Sequence, residues 1–342
     1  MKCINKRHKS GILSGRCRCA AWLMACVTAC CGVLFAGCGM DDYADTYQTY
    51  ETTSAYNLVT DTFLDGTDGF FAEDLCVGGT SNTQTESLTW QDQAEAAAVF
   101  NLHTLEITYA KNIYEQVYPA STTKILTAYL AIKYGNLDDE VTVSSNAAAV
   151  PEGSSTAGLN TGDVLTVREL LYALLLMSGN EAANAIAEYI SGSASDFAAL
   201  MNEEAKLLGA TGSHFVNAHG YPDEDHYTTV YDLYLIFQAA LQSDVLLEII
   251  QTTSYEASYE NAAGETVTAD WTNSNLYLTG EVSLPDAGTV IGGKTGSSDS
   301  SGYCLALYSM NDDNEPVISI VMKAASKEYL YAFMSELLEQ FG

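Results

Sequence analysis

A serine and a lysine three residues apart, Ser121 and Lys124, open the apolar segment STTKILTAYLAIKYGN. Pro119 before the segment and Gly135 near its end predict a helix, on which residues three apart share one face. Serine becomes a nucleophile when a neighbouring base takes its proton, and a buried lysine with a lowered pKa can act as that base. Ser121 could instead only cap the helix. Burial of the lysine favours the chemical interpretation, because a buried amine must find a partner or lose its charge.

The second motif is SGN, which lies in a short turn between two predicted helices. Ser178 could relay a proton between Lys124 and a leaving group, and Asn180 could hold a substrate amide. Glu181 follows Ser178 at the spacing of a capping box, which predicts that Ser178 is the N-cap of the second helix. The two interpretations are compatible, since a cap would fix the geometry of the serine.

The third motif is KTG on a predicted edge strand, in a chain with 14 Lys and Arg against 44 Asp and Glu. Lys294 and Thr295 could bind a carboxylate through charge and hydroxyl. Gly296 would let a substrate backbone approach closely. The N–H of Ser297 could donate to an oxyanion. The alternative is a lysine on the protein surface.

The elements around these motifs follow the order strands, helices, strands, helix. AAAVFNL and LEITYA predict a first hairpin, and TVIGGKTG, YCLALYSM and PVISIVMKA predict three later strands. Between them, capping patterns at Thr166 and Thr229 open predicted helices. SYEASYE and TVTADW predict a further hairpin, and KEYLYAFMSELLEQF a last helix. We expect one mostly antiparallel sheet built from both ends of the segment, with the helical block inserted beside it.

Taken together, S-x-x-K, S-x-N and K-T-G in this order resemble the signature of penicillin-binding proteins and serine β-lactamases. Residues 94–340 look like low-molecular-mass D-alanyl-D-alanine carboxypeptidases of the S11 peptidase family, most clearly in LLMSGNEAANAIAEY, LGATGSHFVNAHGYPDEDHYTTVYDL, WTNSNLY and VIGGKTGSSDSSGYCLAL. The resemblance implies an α+β fold of the β-lactamase and penicillin-binding-protein transpeptidase type. Its five-stranded antiparallel sheet would be flanked by helices and carry an inserted all-helical subdomain.

The same resemblance implies roles for the motif residues. Ser121 would be the acylated nucleophile and Lys124 its general base, with Ser178 and Asn180 as the second element. Lys294 and Thr295 would bind the terminal carboxylate of the substrate. The backbone N–H groups of Ser121 and Ser297 would form the oxyanion hole. Glu181 departs from the family pattern, in which Asp is commoner at that position.

The implied reaction is removal of the terminal D-alanine from peptidoglycan stem peptides, without a cofactor, and β-lactams would acylate the same serine. Alternatives on this scaffold are a β-lactamase and a DD-endopeptidase. A non-catalytic, penicillin-sensing wall lipoprotein is the alternative from another class of protein. Many relatives continue into a β-rich domain and an amphipathic membrane helix, whereas we expect this chain to end with the catalytic segment.

The N-terminus predicts export. Six basic residues lie in the first 18 positions, followed by the uncharged stretch AAWLMACVTACCGVLFAG and then Cys38. FAGC resembles a bacterial lipoprotein box, with Phe35 where Leu is commonest, so Cys38 would be lipidated. An uncleaved anchor and plain secretion are the alternatives, and all three place the protein outside the cytoplasm. The predicted organisation is a signal peptide at 1–37, an acidic tether at 38–88 and a catalytic domain at 89–342.

Charge and cysteine content exclude several classes of function. A net charge of −30 makes binding to nucleic acid or to an anionic membrane surface improbable. After the cysteines at or before position 38, Cys76 and Cys304 remain, so no disulfide framework supports the fold. One bridge between them is possible, but a core or free thiol is the better interpretation of both. His214, His219 and His226 fit no standard metal-site spacing, and we predict no metal.

Overall fold

The computed structural model describes residues 74–83 and 88–342. The chain divides into two units, Met1–Phe71 and Ala72–Gly342, and all described residues belong to the second. The predicted signal peptide, Cys38 and most of the predicted tether lie outside the described residues.

The described residues contain nine strands and nine α-helices, and two short 3₁₀ turns precede β1 and α1. The strands are β1 (Ala94–Asn101), β2 (Glu106–Lys111), β3 (Glu140–Thr142), β4 (Val164–Thr166), β5 (Ser254–Glu260), β6 (Thr266–Thr272), β7 (Thr289–Ser298), β8 (Gly302–Met310) and β9 (Pro316–Ala324). The helices are α1 (Lys124–Tyr134), α2 (Ser145–Ala148), α3 (Val167–Leu175), α4 (Asn180–Ser191), α5 (Ala194–Leu207), α6 (Val230–Ala240), α7 (Asp244–Gln251), α8 (Leu276–Thr279) and α9 (Lys327–Phe341).

The main sheet joins strands from both ends of the segment, as predicted. Its five antiparallel strands have the order β2-β1-β9-β8-β7. β1 pairs with β9, so that Ala98 lies opposite Ile320, and β7 pairs with β8, so that Lys294 lies opposite Ala306. The KTG motif is therefore on an edge strand, which leaves one side of its backbone free to meet another chain.

A second sheet of order β3-β4-β5-β6 was not predicted. The hairpin of β5 and β6 was predicted correctly, and Tyr255 pairs with Trp271 across it. Its partners β3 and β4 have three residues each, which is too short for a period-2 pattern to be visible in the sequence. The insertion between the two parts of the main sheet is therefore not wholly helical.

Helix α1, which carries Lys124, is buried on nearly all sides, as its apolar sequence predicts. Ile125, Leu126 and Leu130 are each at most 2% exposed. At its C-terminal end, the hydroxyls of Tyr129 and Tyr134 and the Lys133 ammonium all donate to Glu204 of α5, whose side chain is almost completely buried. These bonds fix α1 against α5 and so hold the helix at whose start the candidate nucleophile stands.

N-cap residues start two other helices where the sequence predicts them, with a full capping box at Thr166 and a side-chain cap alone at Thr229. The Thr166 N–H donates to Glu169, and the Glu169 N–H donates to the Thr166 hydroxyl, at the start of α3. The Thr229 hydroxyl accepts from the Asp232 N–H at the start of α6. Both predictions are confirmed; each cap satisfies backbone N–H groups that have no partner within the helix.

Residues 74–83 pack against the folded domain ahead of β1. The Cys76 N–H donates to the Tyr234 hydroxyl at 2.8 Å, and the Tyr231 hydroxyl donates to the Cys76 carbonyl oxygen at 2.9 Å. Cys76 and Cys304 are both buried and unbridged, which agrees with the prediction of buried thiols. Within the described ranges, no single helix is long and apolar enough to cross a membrane, and only the bent pair of α6 and α7 passes that test, by length and composition.

Candidate active site

Ser121 and Lys124 meet where a 3₁₀ turn, Ala120–Thr123, runs directly into α1. The Lys124 Nζ lies 3.1 Å from Ser121 Oγ, 2.7 Å from Asn180 Oδ1 and 2.9 Å from the His219 carbonyl oxygen. The last two atoms can only accept hydrogen bonds, so they take the two N–H groups of a neutral amine. The amine lone pair is then left for the Ser121 hydroxyl, which is the arrangement a general base needs.

Electrostatics favour the neutral form of Lys124. The side chain is completely buried, and burial, together with the charge of Lys294, lowers the pKa of Lys124 well below its ordinary value, while Glu181 partly opposes this. Burial lowers the pKa of Lys294 to about 7, although its Nζ donates to the Thr295 carbonyl oxygen. Protonating both of two neighbouring buried amines costs more free energy than protonating one of them. The charge of Lys294 therefore promotes the neutral, basic form of Lys124.

Ser178 is not the N-cap of α4, and that prediction is wrong. The N-cap is Gly179, without a side-chain cap, and Ser178 has a φ of +58°. A capping residue needs an extended backbone, so a left-handed serine cannot fill the role. Its Oγ is buried and has no hydrogen-bond partner, and Lys124 Nζ bonds to other groups. A buried hydroxyl in a strained backbone position suits a functional group rather than a cap.

Replacing Ser178 by alanine separates these interpretations. A lost N-cap would cost about 1 kcal/mol, whereas removal of an unpartnered buried hydroxyl should cost nearly nothing. We expect the free energy of unfolding of Ser178→Ala to stay within about 0.5 kcal/mol of the wild type in urea titrations. Acylation by a fluorescent penicillin should nevertheless slow by about 100-fold or more, as for the loss of a proton-transfer group. If the free energy of unfolding falls together with the acylation rate, the role of Ser178 is structural.

Two cavities meet at Ser121. The larger, of about 520 Å³, is lined by segments 152–155, 219–222 and 297–300, together with Ser121 and Asn180. The smaller, of about 170 Å³, is lined by residues 295–297 of β7 and by residues from other segments of the chain, among them Ser178 and Lys327. Ser121, Ser155 and Ser297 line both. A substrate bound across the serine would therefore place a long part in one cavity and a short part in the other.

Strand β7 lies directly against the turn that carries Ser121. A Cβ on Gly296 would stand 2.9 Å from the backbone nitrogen of Ser121, a distance that side chains do not tolerate. Thr295 shares a hydrogen bond of 2.7 Å with Ser274, and both line the smaller cavity. The glycine is thus needed for the close approach that brings Ser297 beside the nucleophile.

The predicted residues are therefore brought to one place, with one difference in how they meet a ligand. Ser121, Ser178, Thr295, Gly296 and Ser297 line the smaller cavity, and Asn180 lines the larger one. Lys124 and Lys294 line neither and lie buried behind the serine and the threonine. The charge of Lys294 would act on a ligand from behind these residues.

The sequence patterns did not predict several residues that lie at the site. Lys327 and Ser274 line the smaller cavity, and Ser155 lines both. The backbone carbonyl of His219 holds Lys124, a contact that no side-chain pattern reveals. WTNSNLY contains Ser274 and offered a usable signal, whereas Lys327 is an ordinary lysine at a predicted helix start.

The histidines have structural partners. His226 accepts from the Val216 N–H, so its other ring nitrogen carries the proton and donates to the Thr123 hydroxyl at 2.9 Å. Burial lowers the pKa of His226 to about 4, and burial with the Lys124 charge lowers the pKa of His219 to about 3. Both rings are therefore neutral at pH 7. In the part of the chain that the structure describes, no His, Cys, Asp and Glu cluster could hold a metal ion.

Comparison with known proteins gives one consistent family. The profile of peptidase S11, described as D-alanyl-D-alanine carboxypeptidase, matches residues 81–326. D-alanyl-D-alanine carboxypeptidase DacF of Bacillus subtilis is 32% identical over 253 residues, which are 72% of this chain and 61% of DacF. DacC of Escherichia coli is 31% identical over 236 residues, 66% of this chain and 56% of DacC. The chain thus spans less than two thirds of the length of these relatives.

Solved structures agree. The crystal structure of the Streptomyces K15 DD-transpeptidase superposes with a TM-score of 0.64 at 29% identity, over 71% of this chain and 95% of that one. The D-alanyl-D-alanine carboxypeptidase DacD of Francisella tularensis superposes with a TM-score of 0.62 at 26% identity, over 78% of this chain and 72% of that one. The five-stranded antiparallel sheet with flanking helices is thus the fold of known DD-peptidases.

Proposed function

Because the chain belongs to the D-alanyl-D-alanine carboxypeptidase family of S11 peptidases, we propose that it removes the terminal D-alanine from peptidoglycan stem peptides. The observation that carries this proposal is the Ser121–Lys124 pair. The hydroxyl lies 3.1 Å from a buried amine whose other partners are both acceptors. Such an amine is a base held beside the Ser121 hydroxyl that it would deprotonate. Membership of the family indicates the class of substrate.

The proposed reaction begins when Lys124 takes the Ser121 proton and Ser121 Oγ attacks the carbonyl carbon between the two D-alanines. The N–H groups of Ser121 and Ser297 would stabilise the resulting oxyanion. The C–N bond then breaks, the leaving nitrogen receives the proton, through Lys124 and Ser178, and D-alanine departs. Water, activated by the same base, hydrolyses the ester and restores the serine hydroxyl.

The two cavities support an orientation for the substrate. The leaving D-alanine, a single residue with a carboxylate, fits the smaller cavity, where the hydroxyls of Thr295 and Ser274 and the Lys327 ammonium can meet that carboxylate. The charge of Lys294, which is buried behind Thr295, would attract the same carboxylate. The rest of the stem peptide extends through the larger cavity, where the amide of Asn180 can contact its backbone.

The test is release of D-alanine from a synthetic stem pentapeptide, with the same peptide ending in L-alanine as the matched control. Release from the first and not the second supports the proposal. Binding of the pentapeptide without release would indicate a non-catalytic sensor instead. Rapid turnover of penicillin would indicate a β-lactamase, cleavage of a cross-linked stem dimer an endopeptidase, and transfer to an added amine a transpeptidase.

We also propose that the protein works outside the cytoplasm, anchored through a lipid on Cys38. The basic segment, the apolar stretch and FAGC support this location. Metabolic labelling with an alkyne fatty acid, compared between the wild type and Cys38→Ala, tests it. Label that persists in the variant, or is absent from the wild type, would contradict lipidation at this cysteine.

A further inference from the structure

Glu181 follows Asn180 in α4 and is almost completely buried, with 1% of its surface exposed. Its Oε1 accepts the backbone N–H groups of Ala157 at 2.6 Å, Gly158 at 3.0 Å and Leu159 at 3.2 Å. Gly158 has a φ of +86°, so three successive N–H groups converge on one point. Such a concave run of N–H groups binds anions, and here the carboxylate fills it.

The segment held in this way continues into a wall of the larger cavity. Residues 152–155 line that cavity, and Ser155 lines the smaller one too. The Asn180 N–H donates to the Ser155 carbonyl oxygen at 2.9 Å, and the Trp271 ring N–H donates to the Ala157 carbonyl oxygen at 3.1 Å. Glu181 is the charged member of this set of anchors. It joins the wall to the same helix start that presents Asn180 to Lys124.

We propose that Glu181 is a positioning residue that holds the 152–155 wall against the acyl half of the stem peptide. This inference rests on the proposed function. Glu181 lines neither cavity, and the partners of its Oε1 are backbone groups of the wall segment. Its effect should therefore grow with the length of substrate that lies along the wall. A carboxylate that acted on Lys124 by charge would instead affect every substrate equally.

Two substrates on the same enzyme preparation measure this difference. One is a stem pentapeptide, and the other is N-acetyl-D-alanyl-D-alanine, whose acyl half is short. In Glu181→Ala we expect KM for the pentapeptide to rise about tenfold with kcat within about threefold, because uniform binding is lost. The kcat/KM for the short substrate should change by less than about threefold. Glu181→Gln keeps an oxygen acceptor, so its effect should be smaller but have the same selectivity.

The ratio of the two kcat/KM values does not depend on the folded fraction, so partial misfolding of Glu181→Ala cannot imitate the result. Equal losses for both substrates would overturn the inference. A shift of both acid limbs to lower pH is expected as well, because the Glu181 charge raises the pKa of Lys124 and is lost in the variant. Glu169→Gln is the matched control, since Glu169 also holds a backbone N–H at a helix start and lines neither cavity. It should leave the ratio unchanged. A wild type that releases D-alanine from neither substrate would instead refute the proposed function.

Discussion

Ser121→Ala should abolish both covalent labelling by a fluorescent penicillin and release of D-alanine, with a loss of at least about 10⁴-fold in kcat. The physical reason is that no other hydroxyl described here lies beside Lys124 in reach of its lone pair. The Lys124 Nζ contacts one side-chain hydroxyl, that of Ser121, at 3.1 Å, and its other two partners are carbonyl oxygens. Gel fluorescence and a coupled D-alanine assay measure the two effects.

Ser300→Ala is the matched control for this change. Ser300 lines the larger cavity, like Ser121, but it bonds to Ser298 and not to a lysine. Its replacement should leave labelling within about twofold of the wild type, as for surface substitutions away from the chemistry. Labelling that persists in Ser121→Ala would mean that another residue is the nucleophile. The assignment of Ser121 would then be wrong, although membership of the family would stand.

The parts of this site that could be predicted from the sequence are those that depend on short spacings. Ser121 and Lys124 are one helical turn apart, so their meeting follows from a single helix, and the structure brings their atoms within 3.1 Å. Alternation of apolar residues placed KTG on a strand. The order of strands and helices then required a sheet assembled from both ends, and β1 does pair with β9.

What could not be predicted depends on contacts between distant segments. The S-x-x-E pattern at Ser178 and Glu181 reads as a capping box, but both residues are used differently. Gly179 packs so closely on the 157 region that a Cβ there would stand 3.2 Å from the Ala157 nitrogen. The carboxylate turns to the N–H groups of that segment, and Ser178 takes a left-handed backbone. Local sequence carries no signal for such a long-range contact.

Lys294→Met should weaken acylation and at the same time stabilise the fold. Lys294 is 1% exposed and its hydrogen bond is to the Thr295 carbonyl oxygen, so its charge is held in the interior for a purpose other than stability. Without that charge, the carboxylate of the substrate loses an attraction that acts through low-dielectric surroundings. We expect kcat/KM for the pentapeptide to fall about 100-fold, the effect of removing one partner of a buried charge interaction.

The pH profile should move as well. The charge of Lys294 helps to lower the pKa of Lys124, so its removal raises that pKa. A smaller fraction of Lys124 is then neutral at any pH below it, so the acid limb of the acylation rate should shift to higher pH. Lys327→Met is the control: it removes a cation that lines the smaller cavity, so KM should rise without a shift of the acid limb.

Stability should change in the opposite direction from activity. The folded-state pKa of Lys294 is about 7, against 10.5 for an exposed lysine, so the unfolded chain binds more protons between these values. Wild-type stability should therefore rise with pH across that window, and the penalty is complete below pH 7. Lys294→Met removes the penalty, so at pH 6 its free energy of unfolding in urea should exceed that of the wild type by about 1 kcal/mol or more. A variant that unfolds more easily, with acylation intact per folded molecule, would instead make Lys294 a structural residue.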